Sequence, residues 1–275
     1  MPDGCAQSLS GCIIPCMEPI ALRHAKNYRD LGGIRTACGR VLKKGMLIRG
    51  TALSKISEND ILRLKNEYGL RTIIDLRTRK EAEEKPDKAI EGVAYYLMPI
   101  FDEAVIGISH EKKVHSIKSL VALPTMESLY TQMVSAENLT NVTAVLRKIL
   151  LLPKDEFSVV FHCSAGKDRT GVIAALLLTF LGADRNAVID DYLYTNRGKR
   201  VKANLAYVGS VVLKQNRSFA RKVKNYLLAE EQYIQASLSA VEEKYGSLER
   251  YFVEELKFTD EEVNRIKDKF LEPAN

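Results

Sequence analysis

The stretch His162-Cys163-Ser164-Ala165-Gly166-Lys167-Asp168-Arg169-Thr170-Gly171 constrains the fold more than any other part of this 275-residue chain. A short β-branched segment precedes it, and the apolar run Val172 to Leu181 follows it at helical length. A strand that enters a tight loop and leaves as a helix carries unpaired N–H groups at the helix start, beside the positive end of the helix dipole. That is an anion site. Cys163 at such a point is expected to be a thiolate, because helix N-termini and neighbouring cations lower thiol pKa values to roughly 3.5 to 7.5. The six-residue step to Arg169 lets backbone N–H groups of Ser164, Ala165 and Gly166 and a guanidinium fork converge on one tetrahedral oxyanion. Gly166 permits the positive φ that the turn requires. Lys167 adds a second cation, and Thr170 can offer its hydroxyl to the sulfur. His162 can bond nearby backbone and support the loop; taken alone, it fits a satisfied core histidine equally well.

Other readings of the loop fail on particular residues. A nucleotide-binding P-loop needs glycine five residues before its lysine and Ser or Thr directly after, whereas Lys167 has His162 and Asp168 there. A buried structural cysteine is the usual fate of a lone Cys, but it gives no reason for Gly, Lys, Asp, Arg and Thr to follow at a strand-to-helix junction. Five cysteines and four scattered histidines lack metal-ligand spacing, so neither a metal nor another cofactor is expected. Cys5, Cys12 and Cys16 read as tail thiols, and Cys38 as incidental in a Gly-rich turn.

Between about residues 40 and 200 short strands alternate with helices, the pattern of an α/β fold with a central sheet flanked by helices. The strand candidates are Gly45 to Arg49, Arg71 to Leu76, Ala94 to Pro99 and Ser158 to His162. Ser57 with Asp60 opens a helix through Tyr68 that Gly69 stops, and one long helix is expected over Met126 to Leu151. A helix starts after Arg169 and ends near Gly182, and Asp184 caps another through Tyr194. The last third is helical, with Glu230 to Tyr245 amphipathic, Ser247 starting a further helix and Thr259 with Glu262 forming a capping box. Residues 1–20 read as a poorly ordered tail and 21–275 as a single domain. The longest apolar runs, near ten residues, fall short of the roughly 20 that a membrane span requires, so no stable membrane insertion is expected. The N-terminus lacks the basic and apolar regions of a signal peptide, which implies a cytoplasmic protein, with secretion by a signal-independent route left open.

The motif HCSAGKDRTG resembles the HC-x5-R signature of protein tyrosine phosphatases, and its GKDRTG form resembles the bacterial group that includes mycobacterial protein tyrosine phosphatase B. Asn27-Tyr28-Arg29-Asp30-Leu31-Gly32-Gly33, Arg49-Gly50-Thr51-Ala52-Leu53, Asp75-Leu76-Arg77, Asp191-Tyr192-Leu193 and Tyr245-Gly246-Ser247-Leu248 look like that group's other motifs in the same order. The resemblance runs from about residue 24 to the C-terminus. It implies a phosphotyrosine-phosphatase-like fold and a two-step phosphoryl transfer without metal. In that scheme Cys163 attacks phosphorus, Arg169 grips the phosphoryl group, and water hydrolyses the phosphocysteine to release inorganic phosphate. The resemblance puts the proton donor at Asp168 and also implicates Asp75; conventional tyrosine phosphatases carry it on a separate loop, here at Asp102. The plain alternatives are an arginine partner for Asp75 and a turn residue for Asp102.

The net charge of +6 is unevenly spread. From Tyr192 to Ala229 there are nine basic residues and no acidic one, and the remaining 32 Lys and Arg face 35 Asp and Glu, so the rest of the chain is at −3. Charge runs are usually solvated helix faces. Here residues 197–230 fall where relatives in that group carry a helical lid, and with Lys167 they would suit polyanionic substrates. The expected substrates are phosphotyrosine in proteins, with phosphoserine, phosphothreonine and phosphoinositides as further candidates, and no nucleic acid. The rival functions are a catalytically silent phosphate-binding module and a rhodanese-like sulfurtransferase.

Overall fold

The computed structural model describes residues 18–101, 124–197, 200–212 and 217–274. In chain order its strands are β1 (Glu18–Pro19), β2 (Arg29–Asp30), β3 (Arg40–Leu42), β4 (Leu47–Thr51), β5 (Thr72–Asp75), β6 (Ala94–Leu97), β7 (Val159–Cys163) and β8 (Leu271–Pro273). The main sheet has the order β1-β2-β4-β7-β5-β6. Strands β4, β7, β5 and β6 run parallel, and β1 and β2 extend the sheet antiparallel at the β4 side. Side chains alternate across the sheet with period two. Leu47, Ile74, Val159 and Phe161 enter one apolar cluster, while Ile48, Ile73 and Val160 enter a second on the opposite face. Both faces are therefore dry, as parallel sheets require.

The second cluster is closed by α1 (Glu58–Asn66), whose Leu64 and Ile61 point inward and whose N-cap Ser57 accepts from the Asp60 amide. A short α2 (Arg79–Glu84) follows β5 and opens on a complete capping box between Thr78 and Glu81. The expected helix over Met126 to Leu151 is two helices, α3 (Met126–Met133) and α4 (Ala136–Leu151). Ser135 and Asn138 are the reason for the break. Ser135 takes the extended N-cap conformation, and the Asn138 amide bonds the Gln132 carbonyl at 2.9 Å, an alternative to the helical ladder.

At the centre lies α5 (Asp168–Leu181), buried along nearly its whole length and stopped by Gly182 at φ 92°. Around it pack α3, α4, α6 (Arg185–Tyr194) and α9 (Glu231–Tyr245). Two helices, α7 (Arg200–Val212) and α8 (Arg217–Leu227), pair with each other between α6 and α9. After α9 come α10 (Leu248–Tyr251) and α11 (Asp260–Phe270), and the chain ends in β8, which pairs with β3. The late helices thus divide between completing the core and forming the α7–α8 hairpin. The tail up to residue 17 lies outside the described residues, while Glu18–Pro19, assigned to that tail by the sequence, form the edge strand β1.

Candidate active site

Strand β7 sits between β4 and β5, with Cys163 opposite Thr51 and His162 opposite Asp75 at the C-terminal ends of the parallel strands. That edge is where open α/β sheets place their ligands. The loop 164–167 then turns directly into α5, so its amides lie next to the helix start.

The outer side of the loop explains why its amides can turn inward. Asn27 Nδ2 donates to the Gly166 carbonyl at 2.7 Å, and Arg49 Nη2 donates to the same carbonyl at 3.1 Å. Asn27 is itself held, at φ 57°, by Arg29 through a 2.7 Å bond to Oδ1. Arg29 and Arg49 both pair with buried Asp191 of α6. Burial alone would raise the Asp191 carboxyl, but the two guanidinium charges hold it below its ordinary value. Gly166 has φ 63°, and a Cβ there would lie 2.3 Å from the Gly50 carbonyl oxygen, so no other residue fits. In the sequence Asn27, Arg49 and Asp191 were legible only as parts of resembling motifs; the structure ties them into one brace around the loop.

Cys163 is 2% exposed. Burial pushes its thiol up, but the Arg169 charge, the Thr170 hydroxyl and the Thr170 amide outweigh it and bring the pKa below the ordinary thiol value. The buried Thr170 Oγ1 has no nitrogen or oxygen partner among the described residues, which leaves it available to the sulfur. His162, fully buried on the opposite face, lies 2.8 Å from Asp87 through Nε2 and 3.3 Å from the Cys163 carbonyl through Nδ1. The Nε2 contact is close but poorly directed as a hydrogen bond. Burial disfavours the imidazolium, yet Asp87 and Asp75 raise its pKa overall.

Arg169 is gripped end-on by a residue that sequence reasoning missed. Glu81 takes Nη1 at 2.5 Å and Nη2 at 2.9 Å, and also accepts from Ser164 Oγ at 3.1 Å. Its carboxyl, which burial would raise, is brought down by Arg169 and the Thr78 amide to about 2. The signal was present as Thr78-x-x-Glu81, a capping-box pattern three residues after Asp75. The helix start that this box fixes is what aims the carboxylate at the loop.

Asp168 begins α5 with Oδ1 accepting from Tyr130 Oη at 2.6 Å, and Tyr130 Oη is 2.7 Å from Tyr192 Oη. Lys167 Nζ is 3.2 Å from the same carboxylate oxygen and donates to the Tyr226 carbonyl at 2.7 Å and the Leu228 carbonyl at 3.2 Å. Lys167 therefore joins the loop to the C-terminal end of α8. Asp75 is fully buried at the end of β5, bonded to Arg77 through Nε and Nη2 and to Tyr95 Oη at 2.7 Å. Burial raises its carboxyl, but His162 and Arg77 lower it further. Its position is that of an arginine partner. Asp102 lies outside the described residues. Ligand atoms of Asp75, Asp87 and His162 lie within 4.8 Å of one another, but Arg77 Nη2 already sits 2.6 Å from Asp75 and 3.1 Å from Asp87 and supplies the cation there.

An α/β sheet whose central parallel strand ends in a buried thiol, followed by a tight loop and a helix start that carries a buried guanidinium, has the make-up of a phosphoryl-binding class of protein. The particular family follows from comparison with known proteins. Residues 20–272 match the tyrosine phosphatase family, and the chain belongs to that family. It is thus a phosphoric monoester hydrolase. Over 238 residues it is 26% identical to a putative tyrosine-protein phosphatase of Cupriavidus necator, covering 84% of this chain and 82% of that one. Over 271 residues it is 25% identical to the triple specificity protein phosphatase PtpB of Mycobacterium tuberculosis, covering 88% and 95%. Among solved structures, the core catalytic domain of a PP-IP phosphatase from S. cerevisiae aligns over 64% of this chain and 78% of that one, at 13% identity and a TM-score of 0.35. Among the described residues no helix is long and apolar enough to cross a membrane.

Proposed function

We propose that the chain hydrolyses phosphomonoesters through a phosphocysteine on Cys163, with phosphotyrosine in proteins as the main substrate and phosphoserine, phosphothreonine and phosphoinositides as further ones. The observation that carries this is the lowered thiol at the base of a loop whose outer carbonyl is held away by Asn27 and Arg49. Amides released from that side converge with Arg169 on the three non-bridging oxygens, where charge builds as phosphorus becomes five-coordinate. The Sγ–P bond forms as the ester P–O bond breaks, and the departing oxygen takes a proton from Asp168. Water then attacks the phosphocysteine, the sulfur leaves toward the Thr170 hydroxyl, and Asp168 accepts the proton of the water. Tyr130 and Lys167 fix the Asp168 carboxylate for both transfers.

The breadth of substrates rests on Lys167 and the basic segment 197–224. With the end of α8 in place, the Lys167 ammonium is spent on lid carbonyls. Withdrawal of that end would free it for a second phosphate.

Hydrolysis of nitrophenyl phosphate and of phenyl phosphate tests the reading. Cys163→Ser should abolish both, and vanadate should inhibit the wild type. Asp168→Asn should lower turnover of the poor leaving group by about 10²-fold and of nitrophenyl phosphate far less. Retained turnover in Cys163→Ser would exclude the phosphocysteine. Equal losses on both esters would remove Asp168 as the acid, and thiosulfate turnover would favour sulfur transfer instead.

A further inference from the structure

Helix α7 turns its apolar stripe away from the protein. Val201, Leu205 and Val208 follow one another at spacings of four and three, within a narrow arc of the helix. They are 69%, 66% and 54% exposed, whereas Ala203, on the opposite side, is completely buried. A surface helix of a globular protein directs such a stripe into the core.

The segment of chain that carries this stripe has charge of one sign. Arg217 and Arg221 of α8 are exposed, and no acidic residue occurs from Tyr192 to Ala229, although the rest of the chain is at −3. An outward apolar stripe on a helix hairpin that also exposes arginines and carries no acidic residue is the arrangement that lies in the interface of an anionic bilayer, aliphatic side chains among the acyl groups and guanidinium groups on the headgroup phosphates. A second copy of this chain would bring two such positive segments face to face, which repels. We infer that the outer face of α7, with the exposed arginines of the hairpin, docks on an anionic lipid surface.

The inference builds on the phosphatase reading in one respect. The end of α8 rests on the catalytic loop through Lys167, so a docked lid holds the phosphoryl site next to the headgroups.

The test is co-sedimentation of the full chain with vesicles of phosphatidylcholine and of phosphatidylcholine mixed with phosphatidylserine. The wild type should be retained by the mixed vesicles, lost from them as salt rises, and not retained by the neutral ones. Leu205→Glu combined with Val208→Glu should weaken retention by about tenfold or more. Arg217→Gln and Arg221→Gln should each weaken it by about fivefold. The Leu205→Glu, Val208→Glu variant should hydrolyse nitrophenyl phosphate as the wild type does, which reports folding and the catalytic reading separately from docking. Absence of retention, or undiminished retention of the Leu205→Glu, Val208→Glu variant, would overturn the docking surface. So would a dimer in light scattering that this variant dissolves, since a second copy would then own the stripe. Retention without any hydrolysis would leave the surface standing and discard the phosphatase reading alone.

Discussion

Glu81 shows how much one side chain can do when three elements meet on it. Its carboxylate completes the cap of α2, bonds Ser164 of the loop and takes both terminal nitrogens of Arg169. An arginine so held presents its guanidinium plane in one orientation, and orientation is a large part of what catalysis requires. Glu81→Gln should therefore reduce kcat/KM by about 10²-fold while the protein remains folded, measured by steady-state kinetics with thermal unfolding as control. The pH dependence has a definite sign. The folded pKa is lowered from 4.5 to about 2, so the interaction is complete above 4.5 and is lost only as pH falls toward 2. The wild type should thus keep Arg169 oriented across the whole neutral and mildly acid range. An unchanged kcat/KM in the variant would make Glu81 a helix cap and nothing more.

The element on which the site depends most is the α7–α8 hairpin, and its two ends are clamped together. Asn196, just before it, donates through Nδ2 to the Ala229 carbonyl at 2.7 Å, and the Ala229 amide donates back to Asn196 Oδ1 at 2.8 Å. Beneath the hairpin, facing residues 19–28, is a cavity of about 610 Å³ with Ala203 and Leu227 on its wall. A hairpin beside such a cavity, held at its stem, at Lys167 and by Tyr226 Oη on the Pro124 carbonyl at 2.8 Å, has few points to release before it lifts as a unit. Asn196→Ala removes both stem bonds, each worth about 1 kcal/mol net. Alkylation of Cys163 by iodoacetamide should then accelerate by about tenfold, with turnover of a small soluble ester little changed. Equal alkylation rates would mean that the stem does not govern access.

At the scale of the whole molecule, the brace of Arg29, Arg49 and Asp191 links the antiparallel edge of the sheet, its parallel centre and α6. All three groups are buried. Burial, reinforced by repulsion from Arg49, lowers the Arg29 pKa to about 10, which shows how much the brace relies on the single carboxylate. Asp191→Asn leaves two guanidinium charges in the interior against none, at a cost of about 3 to 5 kcal/mol and a fall in Tm of about 10 °C. Because the folded pKa of Asp191 is lowered, its contribution is complete above the ordinary aspartate value of 3.8 and is lost as pH falls through the lower folded value. The gap in Tm between wild type and variant should therefore narrow on acidification. A constant gap would place the cost in packing and not in charge.

Much of this was legible in the amino-acid sequence because it is local. The loop from Cys163 to Arg169, the four strands β4 to β7, the start of α5 at the loop and its stop at Gly182, and the caps at Ser57, Asp184 and Thr259 all follow from neighbours along the chain. Side-chain period, turn residues and helix-end chemistry act over a few residues and need no fold to be read. The break at Ser135, the pairing of β8 with β3 and the antiparallel edge were not legible, since Leu271–Pro273 and Glu18–Pro19 carry no strand pattern of their own and are strands only because of what they meet. The same reason separates the loop from Cys163 to Arg169 from its support. Cys163 and Arg169 lie six residues apart, and the sequence by itself determined that they stand on either side of one strand-to-helix loop. Glu81 lies 88 residues from Arg169, Asp191 lies 162 from Arg29, and Lys167 meets carbonyls 59 and 61 residues away. Only the tertiary structure decided those partners, because a buried charge is stabilised by whichever opposite group the fold brings within hydrogen-bond reach, and that is a property of the packed chain.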